Sequence, residues 1–484
     1  MNNRISKGLF WSYGERILAQ IVGFIVSIVL ARLILPEEFG LVSLIMIFID
    51  ICNVFVTSGL GSGLIQKKEA DDIDFSTVFW LSLLLGCVVY ILLFIIAPTI
   101  ERFFQYGSMT GVIRILGLRL ILASINTIQH AYVSRKMIFK QFFFSTLFGT
   151  VISAVVGIFL ALKGFGVWAL VAQYLTNTTI DTVFLAFSLD WHPRLVFKIE
   201  RIRFFFDFGW KILAAAMIDN LYTNLRSFII GKRYTNSDLA FYNKGMQFPA
   251  IIVTNINSSI IRVMFPALSA EQNDKTRMRN MVKRSVQVSS FLLSPLLVGL
   301  MIIAKPLVLL LLTEKWVGCV NYIYIFCVTY LFMPIHAINE QAIKATGHSE
   351  VTLTVEILKK IFGIILIFIS IITFDNAVAL AASFLMYSFA ALIINSYPGK
   401  KLYEYGFLEQ LKDVFVSLSL SIAMGIVIFP MRYLIHFPLI LIILQILAGC
   451  CVYIGLSVLT HNNSYYYVFQ NSKRIISHRK VQKH

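Results

Sequence analysis

The feature that most constrains this chain is the recurrence of apolar runs, each about 20 residues long, from one end of the sequence to the other. Roughly 20 mostly apolar residues of helix cross the hydrocarbon core of a bilayer. Fourteen runs of this kind are found, at 11–33, 39–62, 76–98, 111–132, 141–162, 166–188, 206–230, 239–262, 285–304, 319–343, 350–373, 376–396, 413–434 and 437–459. Of the 484 residues 58% are hydrophobic and only 14% charged, where a soluble domain is about 25% charged. The mean hydropathy is +0.78. The sequence therefore specifies an all-α integral membrane protein with about 14 transmembrane helices. The first run is too long for the apolar region of a secretory signal and lacks a small-residue cleavage site, so it reads as the first span.

The formal net charge is +17. In a soluble protein such an excess would point to nucleic acid; here it follows the tendency of cytoplasmic loops to collect Lys and Arg. With a cytoplasmic N-terminus and alternating spans, the inner segments hold about 25 cations and the outer loops about seven. That bias places both termini inside and supports the count of spans, because losing one helix would reverse it downstream. The six cysteines, Cys52, Cys87, Cys319, Cys327, Cys450 and Cys451, show no metal-ligand spacing and read as small hydrophobes. No metal or cofactor is expected.

The stretch "GLFWSYGERILAQIVGFIVSIVLARLILPEEFGLVSL" at the start is echoed about 200 residues later by "DFGWKILAAAMIDNLYTNLRSFIIGKRYTNSDLAFYNK". Arg32 matches Lys232, Glu38 matches Asp238, and Phe39 matches Leu239. The copies begin at the first and seventh spans, which enter the membrane in the same direction. This predicts two six-helix lobes, 1–190 and 206–398, related by a pseudo-two-fold axis along the membrane normal and joined by a cytoplasmic linker at 191–205. Two additional helices at 399–460 and a basic cytoplasmic tail at 461–484 would complete the chain. In transporters built from such repeats, substrate binds between the halves.

The segments "ARLILPEEFGLVSL", "SGLGSGLIQKK", "FGWKILAAAMIDNLYTNLRSFIIGKRYTNSDLAFYNKG" and "MFPALS" resemble the Wzx-type polysaccharide-lipid flippases. The resemblance is to the lipopolysaccharide and colanic acid exporter branch of the multidrug/oligosaccharidyl-lipid/polysaccharide exporter superfamily. It covers most of the chain in order and fades after about residue 300. It implies a V-shaped bundle around a central cavity. It also implies translocation of an undecaprenyl-pyrophosphate-linked oligosaccharide across a bacterial inner membrane by alternating access, with membrane lipids and polysaccharide polymerase or assembly proteins as neighbours. It carries over no binding residue.

Charged residues inside a membrane are costly and mark cavities and pathways. Glu15 and Arg16 lie near the inner end of the first span, and Asp50 lies near the middle of the second. Arg114 and Arg119 interrupt the fourth, which also carries Ser124, Asn126, Gln129 and His130 and so has a wet face. Asn177 and Asp181 mark the sixth. In the seventh, Asp219, Tyr222 and Arg226 share a stripe at i, i+3 and i+7, with Asn220 and Asn224 beside it. Lys244 lies in the eighth, and His336 and Glu340 in the tenth. Arg119, Arg114, Arg226, Asn220, Asn224, Arg16 and Lys244 are the candidate substrate contacts. An anionic head group would suit the planar guanidinium fork of Arg119, and the alternative is a structural ion pair with Asp50 or Asp181. Asp50, Asp219 and Glu340 are the candidate carriers of a coupling proton or sodium ion.

A flippase that is not an enzyme is the first expectation. An ion-coupled drug or cation antiporter of the same superfamily is the second, and its cavity should favour carboxylates and aromatics over arginines. A membrane polysaccharide polymerase or transferase is the third, although no long outer loop is present for it. No Walker A loop appears, so a gradient rather than ATP is the expected energy source. The topology predicts that cysteine reporters at Gly107, Asn236 and Asn376 are labelled from outside the cell and those at Ala70 and Asn273 are not.

Overall fold

A segment crossing lipid must satisfy its own backbone hydrogen bonds, and this chain does so by being 87% helix, with no strand among the described residues. The computed structural model describes residues 3–470, apart from the side chains of 3–10, 12, 13, 15–17, 208 and 349. The candidate contact Arg16 and the tail from 471 onward therefore lie outside the described residues.

The helices are α1 (Asn3–Leu33), α2 (Pro36–Thr57), α3 (Leu60–Gln66), α4 (Asp72–Phe104), α5 (Met109–Gly117), α6 (Arg119–Lys136), α7 (Lys140–Leu162), α8 (Val167–Ser188) and α9 (Ile199–Arg233). They continue as α10 (Asn236–Ala270), α11 (Lys275–Leu311), α12 (Cys319–Tyr330), α13 (Met333–Ala345), α14 (Ser349–Thr373), α15 (Ala377–Leu402), α16 (Phe407–Ile428), α17 (Met431–Leu434) and α18 (Pro438–Leu459). Every apolar run of the sequence falls on one of these helices or on a broken pair of them. Ten segments are long and apolar enough to cross a membrane, and α1 adds a shorter apolar stretch at Leu18–Leu33. This is a multi-pass membrane protein. The helices α8, α9 and α14 miss that threshold because polar side chains interrupt them: Asn177 and Asp181 in α8, Asp219 and Arg226 in α9, and Glu356, Lys359 and Lys360 in α14.

Local chemistry explains most of the breaks. Gly59, at φ +94°, turns the chain between α2 and α3 in a region that side chains with a Cβ avoid. Pro334 and Pro430 lack the N–H that would continue the preceding helix and stand where α12 passes to α13 and α16 to α17. The break at Leu118, between α5 and α6, has helical dihedrals and directly follows Gly117, where an added Cβ would lie 3.3 Å from the Tyr90 ring.

The chain divides into two compact units, Met1–Ala240 and Phe241–His484. In the first, α7 packs along α8 and α1, and α9 packs against α2, α3 and α4. Small residues set these distances, as they do where no hydrophobic effect draws helices together in lipid. Gly149, Ser153 and Gly157 recur every four residues on α7 and face α8; a Cβ on Gly157 would come within 2.8 Å of Gln173 Cβ. Gly59 and Gly209 meet backbone to backbone, and a Cβ on Gly59 would lie 2.5 Å from Gly209 O. In the second unit, α11 carries the two C-terminal helices α16 and α18. Tyr453 of α18 donates to Phe291 O at 2.9 Å. A buried polar network ties α16 to α13: Gln410 and Asn339 exchange hydrogen bonds at 2.8 and 3.1 Å, Tyr403 donates to Asn339 at 2.9 Å, and Ser396 donates to Gln410 at 2.9 Å.

The sequence repeat has a structural counterpart in its turns. Helix α1 ends at Leu33 and α2 begins at Pro36; α9 ends at Arg233 and α10 begins at Asn236. In each turn the matched acid folds back on the backbone. Leu35 N–H donates to the Glu38 carboxylate at 3.2 Å, and Thr235 N–H donates to Asp238 at 3.2 Å. Asn236 is buried, and a Cβ on Gly40 would lie only 1.8 Å from its carbonyl oxygen. The labelling reporter for this turn therefore belongs at the exposed Thr235.

Two stability outcomes follow. Gly59→Ala introduces strain at positive φ and a clash with Gly209, and should cost about 1–3 kcal/mol, seen as a lower unfolding temperature in detergent. Glu38→Ala removes one helix-entry hydrogen bond and Asp238→Ala two, both from Thr235, and each should cost about 1 kcal/mol.

Candidate functional site

Three helices of the first unit carry polar residues at helical spacing toward one another. These are Asp50, Asn53 and Thr57 on α2, Arg119, Asn126 and Thr127 on α6, and Asn177, Thr178 and Asp181 on α8. Residues three or four apart share a helix face, so each helix presents a polar stripe. Where α2, α6 and α8 pack, the stripes line a cavity of about 220 Å³, with Ile49, Leu120 and Ala123 as its apolar wall. At 1.5 Å per residue, Asp50 on α2 and Asp181 on α8 each lie about 21 Å along their helices. The cavity is therefore well inside the apolar span.

Arg119 is held without a carboxylate. Its Nε donates to Thr178 Oγ1 at 3.0 Å, one terminal nitrogen lies 3.7 Å from Met46 Sδ, and its guanidinium carbon lies 5.5 Å from the centroid of the Tyr174 ring. Among the described residues it forms no ion pair, although its charge acts on Asp50 across the cavity. Asp181, the other acid, is tied down by its neighbours. It accepts from Asn126 Nδ2 at 2.7 Å, and His130 Nε2 lies 3.4 Å away. Gln129 extends this set by donating to Thr182 O at 3.1 Å. Asn177 donates to Ser153 on α7 at 3.4 Å.

The other sequence candidates lie elsewhere. Arg114 donates to Phe94 O at 3.3 Å and stacks 4.1 Å from the Phe94 ring centroid. Asn224 donates to Asn220 Oδ1 at 3.1 Å, and Arg226, buried, lies 5.9 Å from the Tyr222 ring centroid. Asp219 is exposed on α9. In the second unit, Lys244 is buried with Gln247 Oε1 at 3.4 Å and the Trp316 ring at 5.7 Å. Glu340 pairs with Lys344 one turn along α13. Both ring nitrogens of His336 are engaged, by Ser388 at 3.3 Å and Asn395 at 3.1 Å, which pins α13 to α15. Of the candidate contacts and ion carriers, Arg119 and Asp50 are the pair brought together at the cavity. Asn53, Thr57 and Thr127 were not singled out from the sequence, although i+3 and i+7 from Asp50 was the available signal for the first two. No grouping of three His, Cys, Asp or Glu side chains suited to a metal ion occurs among the described residues.

The cavity contains groups that serve the fold and groups that do not, and substitution separates them. Asp181→Leu leaves the Asn126 amide only its 3.5 Å contact with Thr182 Oγ1 and should cost about 1–3 kcal/mol of stability. Asn53→Leu removes an amide with no partner among the described residues and should leave the unfolding temperature within about a degree.

A family model described as "Polysaccharide biosynthesis protein" matches residues 29–321. The chain is 25% identical over 308 residues to the teichuronic acid biosynthesis protein of Bacillus subtilis (strain 168), covering 62% of each chain. It is 25% identical over 313 residues to the succinoglycan biosynthesis transport protein of Rhizobium meliloti (strain 1021), covering 64% of this chain and 63% of that one. It thus spans less than two thirds of the length of these relatives. Among solved structures, the lipid II flippase MurJ in an inward closed conformation superposes with a TM-score of 0.76 at 15% identity, over 94% of this chain and 99% of that chain. That likeness is one of fold.

Proposed function

The chain belongs to the polysaccharide biosynthesis protein family, and we propose that it is a flippase for a lipid-linked oligosaccharide. In this reading it carries an undecaprenyl-pyrophosphate-linked repeat unit across the bacterial inner membrane by alternating access, with fourteen spans in two six-helix lobes and both termini inside. It performs no covalent chemistry. Polysaccharide polymerase or assembly proteins would receive its product. The observation that carries the reading is a polar cavity lined by three packed helices, with an arginine free of any acidic partner within ion-pair distance.

A lipid tail needs no cavity because it stays in the bilayer; only the head group has to leave water. A cavity with donors and acceptors on three helices replaces part of that hydration and lowers the barrier to crossing. Arg119 contacts the head group, and its planar fork gives directed hydrogen bonds that a lysine point charge does not. Asp50 is the preferred carrier of a coupling ion. Its carboxylate is unpaired at the cavity, whereas Glu340 is neutralised by Lys344.

A cation antiporter is favoured by one observation, the presence of two carboxylates, Asp50 and Asp181, in the same cavity. Export of glycan decides between the readings. In a flippase-null strain, Arg119→Ala should insert normally yet restore surface glycan at least about tenfold less well per folded molecule, the loss expected for a charged hydrogen bond. Arg119→Lys should be intermediate. Full export by Arg119→Ala, or cation efflux without glycan export by the unaltered protein, would contradict the proposal.

A further inference from the structure

The cavity holds hydrogen-bonding capacity that its own walls leave unused. The Asp50 carboxylate and the Asn53 amide have no side-chain partner among the described residues. Arg119 uses Nε on Thr178 and one terminal nitrogen on a sulfur, which leaves its second terminal nitrogen open. Asn126 and Asn177 both direct their NH₂ groups into the protein, to Asp181 and Ser153, and so offer carbonyl oxygens. The open set is thus a carboxylate, amides and one edge of a guanidinium.

The charges restrict what this set can hold. Two carboxylates, Asp50 and Asp181, face one guanidinium. His130, at 3.4 Å from Asp181, adds at most one positive charge. With both carboxylates ionised the sum is therefore −1 or 0. A phosphate, pyrophosphate or uronate moved out of water into such a site would lose its hydration with no net countercharge, which is strongly unfavourable. An uncharged ring bearing several hydroxyls meets no such penalty. Its hydroxyls donate to Asp50 and to the amide oxygens, and accept from Arg119 and Asn53. The cavity of about 220 Å³ far exceeds the roughly 10–15 Å³ that one water needs by the same measure. That is room for a six-membered ring with its hydroxyls.

We propose that the cavity between α2, α6 and α8 is a subsite for an uncharged sugar residue of the head group, and that Asp50, while ionised and before it takes up a coupling ion, acts there to exclude acidic residues and phosphate. The proposal rests on the flippase reading and narrows it. It replaces the expectation, drawn from sequence, that Arg119 serves the pyrophosphate or an acidic sugar.

The test uses the full-length protein in nanodiscs, with saturation-transfer NMR on methyl glycosides of glucose, galactose and mannose, on methyl glucuronide, and on phosphate-site competition by inorganic pyrophosphate. At least one neutral glycoside should bind, glucuronide should bind at least tenfold more weakly, and pyrophosphate should not compete. Asn53→Leu should weaken the neutral glycoside by about tenfold at unchanged unfolding temperature. Asp50→Asn should shift the glucuronide-to-neutral binding ratio upward by at least tenfold. Glucuronide binding as strong as neutral binding, competition by pyrophosphate, no neutral binding at all, or an unchanged ratio in Asp50→Asn would each overturn the subsite. Flipping of a lipid-linked saccharide by the same protein in proteoliposomes is scored separately. Absence of flipping refutes the flippase reading, whereas flipping that Asn53→Leu leaves untouched refutes only the subsite.

Discussion

The hydrocarbon core supplies no hydrogen bonds, so each polar side chain inside it must find a partner within the protein or face water in a cavity. The two units of this chain show both solutions. In the second, Asn339, Gln410, Tyr403 and Ser396 satisfy one another, are fully buried, and tie α16 to the helices around it. In the first, Asp181 accepts from Asn126 through one oxygen only, and Asp50 and Asn53 do not share in that pairing. Closed networks specify a packing. An open one leaves groups for something that enters from outside, and this contrast is the reason for reading the first unit's cavity as a site.

The deep arginine is best understood within that contrast. Its cost is met by a hydroxyl, a thioether and an aromatic face rather than by a carboxylate. A tight ion pair would have locked Arg119 to Asp50 and left little for a ligand to recognise. Separated by the cavity, the two charges instead act across the space a ligand would occupy. Packing by small residues supports this geometry. Gly149, Ser153 and Gly157 bring α7 against α8, and Gly59 against Gly209 fixes α9 beside α2 and α3. A close-packed frame is needed if three side-chain stripes are to keep their spacing around a void of 220 Å³.

Much of this was legible in the sequence, and the physical reason is locality. Helix-length apolar runs act within a few residues of themselves, so the helices could be read directly, but the breaks near Gly59, Leu118, Pro334 and Pro430 lie inside runs that read as single spans. The paired turns at Glu38 and Asp238 were visible as a repeat because each is a local hydrogen bond. Arg119 stood out because a charge so deep is rare. Its partners did not, because Thr178 is 59 residues away and Met46 is 73, and only packing selects them. The pairing of Asn126 with Asp181 is likewise long-range. Glu340, a candidate ion carrier by its place in the tenth span, has Lys344 one turn away to neutralise it.

The central claim is that the polar space between α2, α6 and α8 receives the head group of the transported lipid. The most direct measurement is an electron cryo-microscopy structure of the protein in nanodiscs with a lipid-linked oligosaccharide bound. The account predicts saccharide density within hydrogen-bond distance of Arg119, Asp50 and Asn53, with the phosphates outside the cavity. Saccharide density that leaves this space filled only by water, or phosphate density against Arg119, would contradict it.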